Sequence, residues 1–125
     1  MTALRQLLRL AAATDREAVR SPTGWQTRCL HCRTAVSISD AGEPLGSTTL
    51  EHIVPRSWFG RRGSEDLVAQ LEGPSDPRNL ALACARCNQQ KGRGPDAAGP
   101  GDARAKEIVR TLLVRRAERY VEDSR

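Results

Sequence analysis

Two Cys-x-x-Cys pairs, Cys29/Cys32 and Cys84/Cys87, most constrain what this chain can fold into. Each pair offers two thiolates from one tight turn, and two such knuckles complete a tetrahedral four-cysteine zinc site. A closed set leaves no coordination position for a substrate, so this zinc is expected to be structural. Fifty-one residues separate Cys32 from Cys84, against the ~15–20 of a simple zinc ribbon. A sizeable element must therefore sit between the knuckles. His31 lies inside the first knuckle as an alternative ligand, but Cys29 and Cys32 already fill that side at the usual spacing.

The apolar inventory explains why a staple is needed. Among 125 residues there are one Phe, one Tyr, one Met and two Trp, which suits one domain with a modest core. In a reducing compartment, paired Cys-x-x-Cys turns favour metal over disulfides. No run approaches the ~20 apolar residues of a membrane span. The mildly apolar segment 1–13 is interrupted by Arg5 and Arg9, unlike a signal peptide. The expectation is a cytoplasmic protein with no membrane partner. The formal net charge is +5, and the 20 basic residues are 18 arginines plus Lys91 and Lys106. Arginine suits bidentate phosphate contacts, so a polyanionic partner is favoured. A G- and C-rich genome would enrich Arg, Ala and Gly as well.

Periodicity predicts an α+β chain. Leu4, Leu7, Leu8 and Ala11 fall on one face of a helix over 2–13. Thr14 and Glu17 form a capping-box pattern, which predicts a second short helix from Asp15. Residues 34–39 and 48–54 read as strands, the second ended by Pro55. Residues 56–78 read as a loop-rich insert, with Ser64 capping a short helix. Residues 80–83 read as a strand leading into the second knuckle, and 85–91 as a helix with Gly92 at its end. Asp102 is a plausible N-cap for a C-terminal helix whose apolar stripe is Ile108, Val109, Leu112, Leu113, Ala117, Tyr120 and Val121. Arg110, Arg115, Arg116 and Arg119 fall beside or opposite that stripe, to extend a nucleic-acid footprint or to solubilise the helix. The expected organisation is one domain over 1–125: a helical segment 1–24, a zinc-stapled core 25–93, a Gly/Pro-rich loop 94–101 and a helix 102–123.

Between the knuckles stand residues with chemistry of their own. Glu51-His52 places a carboxylate beside an imidazole, and on a strand the two point to opposite faces. Asn88 offers a hard amide oxygen suited to Mg²⁺, which keeps water and substrate oxygens in a protein-poor shell. Taken singly, each has a plainer reading: His52 a core histidine, Asn79 a turn or cap residue, Asn88 a helix cap, Glu51 a solvated strand residue.

The segments Glu51-His52-Ile53-Val54-Pro55-Arg56-Ser57, Asn79-Leu80, and Cys84-Ala85-Arg86-Cys87-Asn88-Gln89-Gln90-Lys91-Gly92 resemble the zinc-containing HNH endonucleases, McrA-like in type, over roughly residues 29–92. The resemblance implies a ββα-metal finger stapled by the four-cysteine zinc and flanked by helices. It implies His52 as general base and Asn79 holding the loop and orienting the His52 ring. Glu51 and Asn88 would hold a catalytic Mg²⁺ or Mn²⁺; Glu51 stands where the family usually has Asp. The expected substrate is DNA, double-stranded, nicked or cut to leave 5′-phosphate and 3′-hydroxyl ends. A double-strand break would need a homodimer, an associated protein or two visits. Arg56, Arg61, Arg62, Lys91 and Arg93 are the candidate DNA contacts, each with the plainer reading of a solvated charge. Trp58-Phe59 is either a stacking platform or packing for the insert, and Trp25 reads as core. The alternatives are a non-catalytic zinc-knuckle module that binds nucleic acid, and action on RNA.

Overall fold

The computed structural model describes residues 3–123; the expected helix start at Thr2 and the domain ends at Met1 and Arg125 lie outside the described residues. Helix α1 (Ala3–Ala13) buries Leu8 and Ala11 of the expected face together with Ala12, while Leu7 is half-buried and Leu4 is exposed. Strands β1 (Val19–Ser21), β2 (Gly24–Arg28), β3 (Ala35–Ser39) and β4 (Pro44–Leu45) form an antiparallel sheet in sequence order. Gly24 is required where β2 meets β3, because a Cβ there would stand 2.0 Å from the Ile38 carbonyl oxygen.

Strands β5 (Thr48–His52) and β6 (Leu80–Cys84) make a separate antiparallel pair, with Glu51 opposite Ala81 and His52 opposite Leu80. The insert between them holds a 3₁₀ turn (Arg56–Trp58), helix α2 (Glu65–Val68) and a second 3₁₀ turn (Pro77–Asn79). After β6 the chain turns at Cys84 into helix α3 (Ala85–Lys91). This β5–β6–α3 unit is the expected ββα arrangement within a mixed α+β chain. All five residues of β6 are buried. Leu80 and Leu82 pack with Leu8, Val36 and Ile38; Ala81 packs with Ile53, Val54, Trp58, Val109 and Leu112. Burial of each such large side chain contributes about 1.5–3 kcal/mol. No helix among the described residues is long and apolar enough to cross a membrane.

Several local expectations are corrected. The Thr14/Glu17 capping box and the helix from Asp15 do not form. The Thr14 hydroxyl donates back to the Leu10 carbonyl at 2.7 Å, and the chain enters β1. Backbone pairing with the C-terminal segment wins here: Val121 N–H donates to Thr14 O at 2.9 Å and Arg16 N–H to Arg119 O at 2.6 Å. Ser64 precedes α2 without a side-chain cap; its hydroxyl donates to the Trp58 and Arg61 carbonyls at 2.7 and 2.8 Å.

The stretch expected as a 94–101 loop begins as helix. Gly92 stays right-handed (φ −61°, ψ −42°), and Gly92–Asp96 forms a π-helical turn containing Pro95, a residue with no amide to donate. Helix α4 (Ala103–Arg119) opens at Asp102, whose carboxylate accepts from Ala105 N–H at 2.8 Å as its N-cap position predicts. It ends at Arg119, before the expected boundary. Its buried face is Ala105, Val109, Leu112, Arg116 and Arg119, while Ile108 and Ala117 are exposed. Arg116 donates to the carbonyls of Thr14 and Pro77; Arg119 forks onto Asp15. These two arginines are internal, not part of a solvated or nucleic-acid face. Trp25 is only half-buried, with the Arg20 guanidinium 4.0 Å above its ring. Trp58 is fully buried and packs the insert, so it is no stacking platform.

Candidate active site and zinc centre

The two knuckles meet at the junction of β2, β6 and α3. The ligand sulfurs of Cys29, Cys32, Cys84 and Cys87 all lie within 4.8 Å of one another. The Cys32–Cys84 separation is 3.8 Å, the ~3.8 Å edge of a tetrahedron with ~2.3 Å Zn–S bonds. The first knuckle closes through Cys29 N–H to Thr34 O (2.7 Å) and Arg33 N–H to Cys29 O (3.1 Å). Arg33 takes the left-handed conformation, φ 71°, to complete that turn. The Thr34 amide brings the Cys32 thiol down to about 7, whereas burial pushes Cys87 up to about 12. Four cysteine sulfurs this close form a donor set that fits Zn²⁺.

Asn79 is fully buried at the end of a turn set up by Asp76, whose carboxylate accepts from Arg78 N–H at 2.9 Å, with Pro77 at the first position. Its Oδ1 accepts from Val54 N–H at 2.8 Å, and its Nδ2 donates to Val54 O and Pro74 O, both at 3.1 Å. Its own carbonyl accepts from Ile53 N–H at 2.9 Å. The side chain thus clamps the backbone just past His52 and does so through Val54, not through the ring.

Regular pairing of β5 puts Glu51 and His52 on opposite faces. Helix α3 lies on the Glu51 side: Asn88 Nδ2 donates to Thr49 Oγ1 and Leu50 O, both at 3.0 Å. With both donors spent on β5, the Asn88 amide oxygen is its remaining ligand atom. Glu51 is 1% exposed. One carboxylate oxygen lies 2.6 Å from His31 Nε2; the other has no hydrogen-bond partner and is 3.6 Å from Lys91 Nζ. Lys91 donates to both oxygens of Asp96 at 2.8 and 3.0 Å and to His52 O at 3.2 Å. Burial first, then the Glu51 charge, push Asp96 above the usual carboxylate range, against the pull of Lys91.

One lysine thus serves two carboxylates. The Glu51 oxygen without a hydrogen-bond partner and the Asn88 amide oxygen are both hard donors of the kind a divalent ion takes.

His52 is half-buried, and its Nε2 is buried without a partner. Burial, then Arg56 and Lys91, hold the imidazole below its ordinary value, while Glu51 pulls weakly the other way. The ring is therefore neutral at pH 7, as a proton acceptor must be. Arg56, Arg61, Arg62 and Arg93 are exposed. Lys91 is 4% exposed and ion-paired, which corrects its expected place among phosphate contacts.

The profile of the HNH endonuclease family matches residues 29–94, just over half of the chain. This chain belongs to the HNH endonuclease family. No curated protein and no solved structure matches it. The match runs from the first zinc knuckle into the π-helical turn, so the HNH segment contains every cysteine together with Glu51, His52, Asn79 and Asn88. Two members of the buried cluster, His31 and Asp96, escaped assignment from sequence. His31 was legible only as a knuckle residue, and Asp96 lay in a Gly/Pro-rich stretch. His31 meets Glu51 where the first knuckle lies against β5, and Asp96 meets Lys91 because Gly92–Asp96 continues the helix.

Proposed function

We propose that this HNH protein is a metal-dependent endonuclease that hydrolyses DNA phosphodiester bonds. The observation that carries the reading is the buried Glu51 oxygen that accepts no hydrogen bond, on the strand residue next to a neutral His52. His52 takes a proton from water, and that water attacks phosphorus. The bond to the 3′ oxygen breaks, leaving 5′-phosphate and 3′-hydroxyl ends. Glu51 and Asn88 would hold a Mg²⁺ or Mn²⁺, which would supply charge neutralisation at the phosphate and the leaving oxygen. Asn79 fixes the backbone beyond His52, and with it the direction from which the imidazole approaches. The exposed Arg56, Arg61, Arg62 and Arg93 are suited to the DNA backbone. Double-stranded DNA is the substrate proposed. One such site cuts one strand per encounter, so a double-strand break requires a homodimer, an associated protein or a second visit. A reducing cytoplasm would keep the four thiols available to Zn²⁺.

The test is cleavage of supercoiled plasmid with Mg²⁺, Mn²⁺ or EDTA, wild type beside His52→Ala. Metal-dependent nicking abolished by the substitution is the expected result. Plasmid bound but left uncut by zinc-loaded wild type with every metal would instead favour a zinc-knuckle module that only binds nucleic acid.

A further inference from the structure

The first zinc knuckle does more than hold zinc. His31 sits between two of its cysteines, and its Nε2 meets Glu51 at 2.6 Å. Glu51 has no side-chain exposure and His31 only 18%, so water does not compete strongly for this bond. The rest of the cluster does not fix Glu51. Lys91 is spent on Asp96 and the His52 carbonyl and stands 3.6 Å from the carboxylate. His31 is therefore the one side chain hydrogen-bonded to Glu51 among the described residues; it occupies Oε1, while Oε2 accepts no hydrogen bond and has the Lys91 ammonium 3.6 Å away.

We propose that His31 is a positioning residue for the divalent-ion site. Its imidazole N–H pins one oxygen of Glu51 so that the other is presented for metal. This rests on the reading of Glu51 as a metal ligand. The knuckle backbone sets where the ring stands: Leu30 N–H donates to Leu82 O at 3.3 Å, Arg33 N–H to Cys29 O at 3.1 Å, and the cysteines bracket the histidine. The structural zinc thereby fixes the far end of a chain of contacts running from the zinc knuckle through His31 to Glu51. Partners that orient a ligating carboxylate are worth about 10–100-fold in metal affinity or activity.

The test uses full-length, zinc-loaded protein. Mn²⁺ binding is measured by electron paramagnetic resonance, and plasmid nicking is followed against Mg²⁺ concentration. His31→Leu keeps bulk and removes the donor; His31→Gln restores a donor. Zinc content is measured for both. The expected result is Mn²⁺ binding weakened about 10-fold or more in His31→Leu at full zinc occupancy, with partial recovery in His31→Gln. The Mg²⁺ needed for half-maximal nicking should rise in parallel, and the rate at saturating Mg²⁺ should largely return. A purely structural role would lower stability or zinc content without separating the two variants in metal affinity. Unchanged Mn²⁺ binding in both variants, beside a wild type that binds and cuts, overturns the His31 assignment alone. A wild type that binds no Mn²⁺ overturns the metal reading of Glu51, and the assignment with it.

Discussion

Replacing Arg119 with methionine removes a buried cation from the carboxylate it forks onto. The Arg119 guanidinium donates to both oxygens of Asp15 at 3.1 and 2.6 Å, and also to Thr27 Oγ1 at 2.9 Å and Arg28 O at 3.0 Å. Arg119 and Asp15 are each under one-tenth exposed. Methionine matches the stem but leaves the Asp15 carboxylate inside with only Thr27 and the Glu17 amide. Breaking such a pair costs about 3–5 kcal/mol. For a chain this size that is a fall in Tm of roughly 10–20 °C. The assay is thermal and urea unfolding of zinc-loaded protein, with Asp15→Asn and the double variant completing the cycle. The double variant should lose less than the sum of the singles. The loss should also depend on pH. Burial acts to raise the Asp15 carboxyl, but Arg119, Thr27 and the Glu17 amide together hold it below 3.8. A depressed carboxylate contributes stability that is complete above its unfolded value and lost as pH falls through the folded one. The gap between wild type and Arg119→Met should therefore narrow below about pH 4. A variant within ~1 kcal/mol of wild type at pH 7 would refute the buried-pair argument. Loss of plasmid nicking by a folded, zinc-loaded variant would return Arg119 to the nucleic-acid face.

Zinc removal by a strong chelator should unfold the chain, because structural zinc contributes about 10–16 kcal/mol where a whole domain has about 5–15; an unchanged melting transition at zero zinc contradicts the four-cysteine staple. Nicking at saturating metal should hold a plateau at pH 7 and fall only on the acid side of 6.5, since burial, Arg56 from the turn and Lys91 from α3 lower His52 and only Glu51 of its own strand opposes them. An acid limb centred above 6.5 contradicts this. Asn79→Ala leaves the buried Val54 and Pro74 groups without their partner, and urea titration should read a loss of at least ~1–3 kcal/mol. In DNA-binding titrations against salt, Arg56→Ala should reduce the slope by about 0.9. Lys91→Met should leave that slope alone while destabilising the fold, and an equal slope change in both would put Lys91 back on the surface.

Residue types at fixed short spacings determined much of this protein. Cys-x-x-Cys twice gives a four-sulfur centre wherever the chain between them runs. The run Leu80–Ala83 reads as a short strand, and Asp102 as the cap of the last helix. The segments carrying Glu51, His52, Asn79 and Asn88 implied the ββα unit through their resemblance to the HNH endonucleases, and β5, β6 and α3 form it.

What tertiary structure alone decided is where charge goes. Arg116 and Arg119 read as surface because helical periodicity scores them polar, yet Thr14, Asp15 and Pro77 meet them inside. Lys91 reads as a phosphate contact, yet Asp96 and Glu51 enclose it once Gly92–Asp96 continues the helix. The knuckle histidine reads as a spare zinc ligand, yet it meets a strand residue twenty positions on. An unpaired charge is excluded from the interior by its desolvation cost, and only the assembled fold shows which charges have found a partner there.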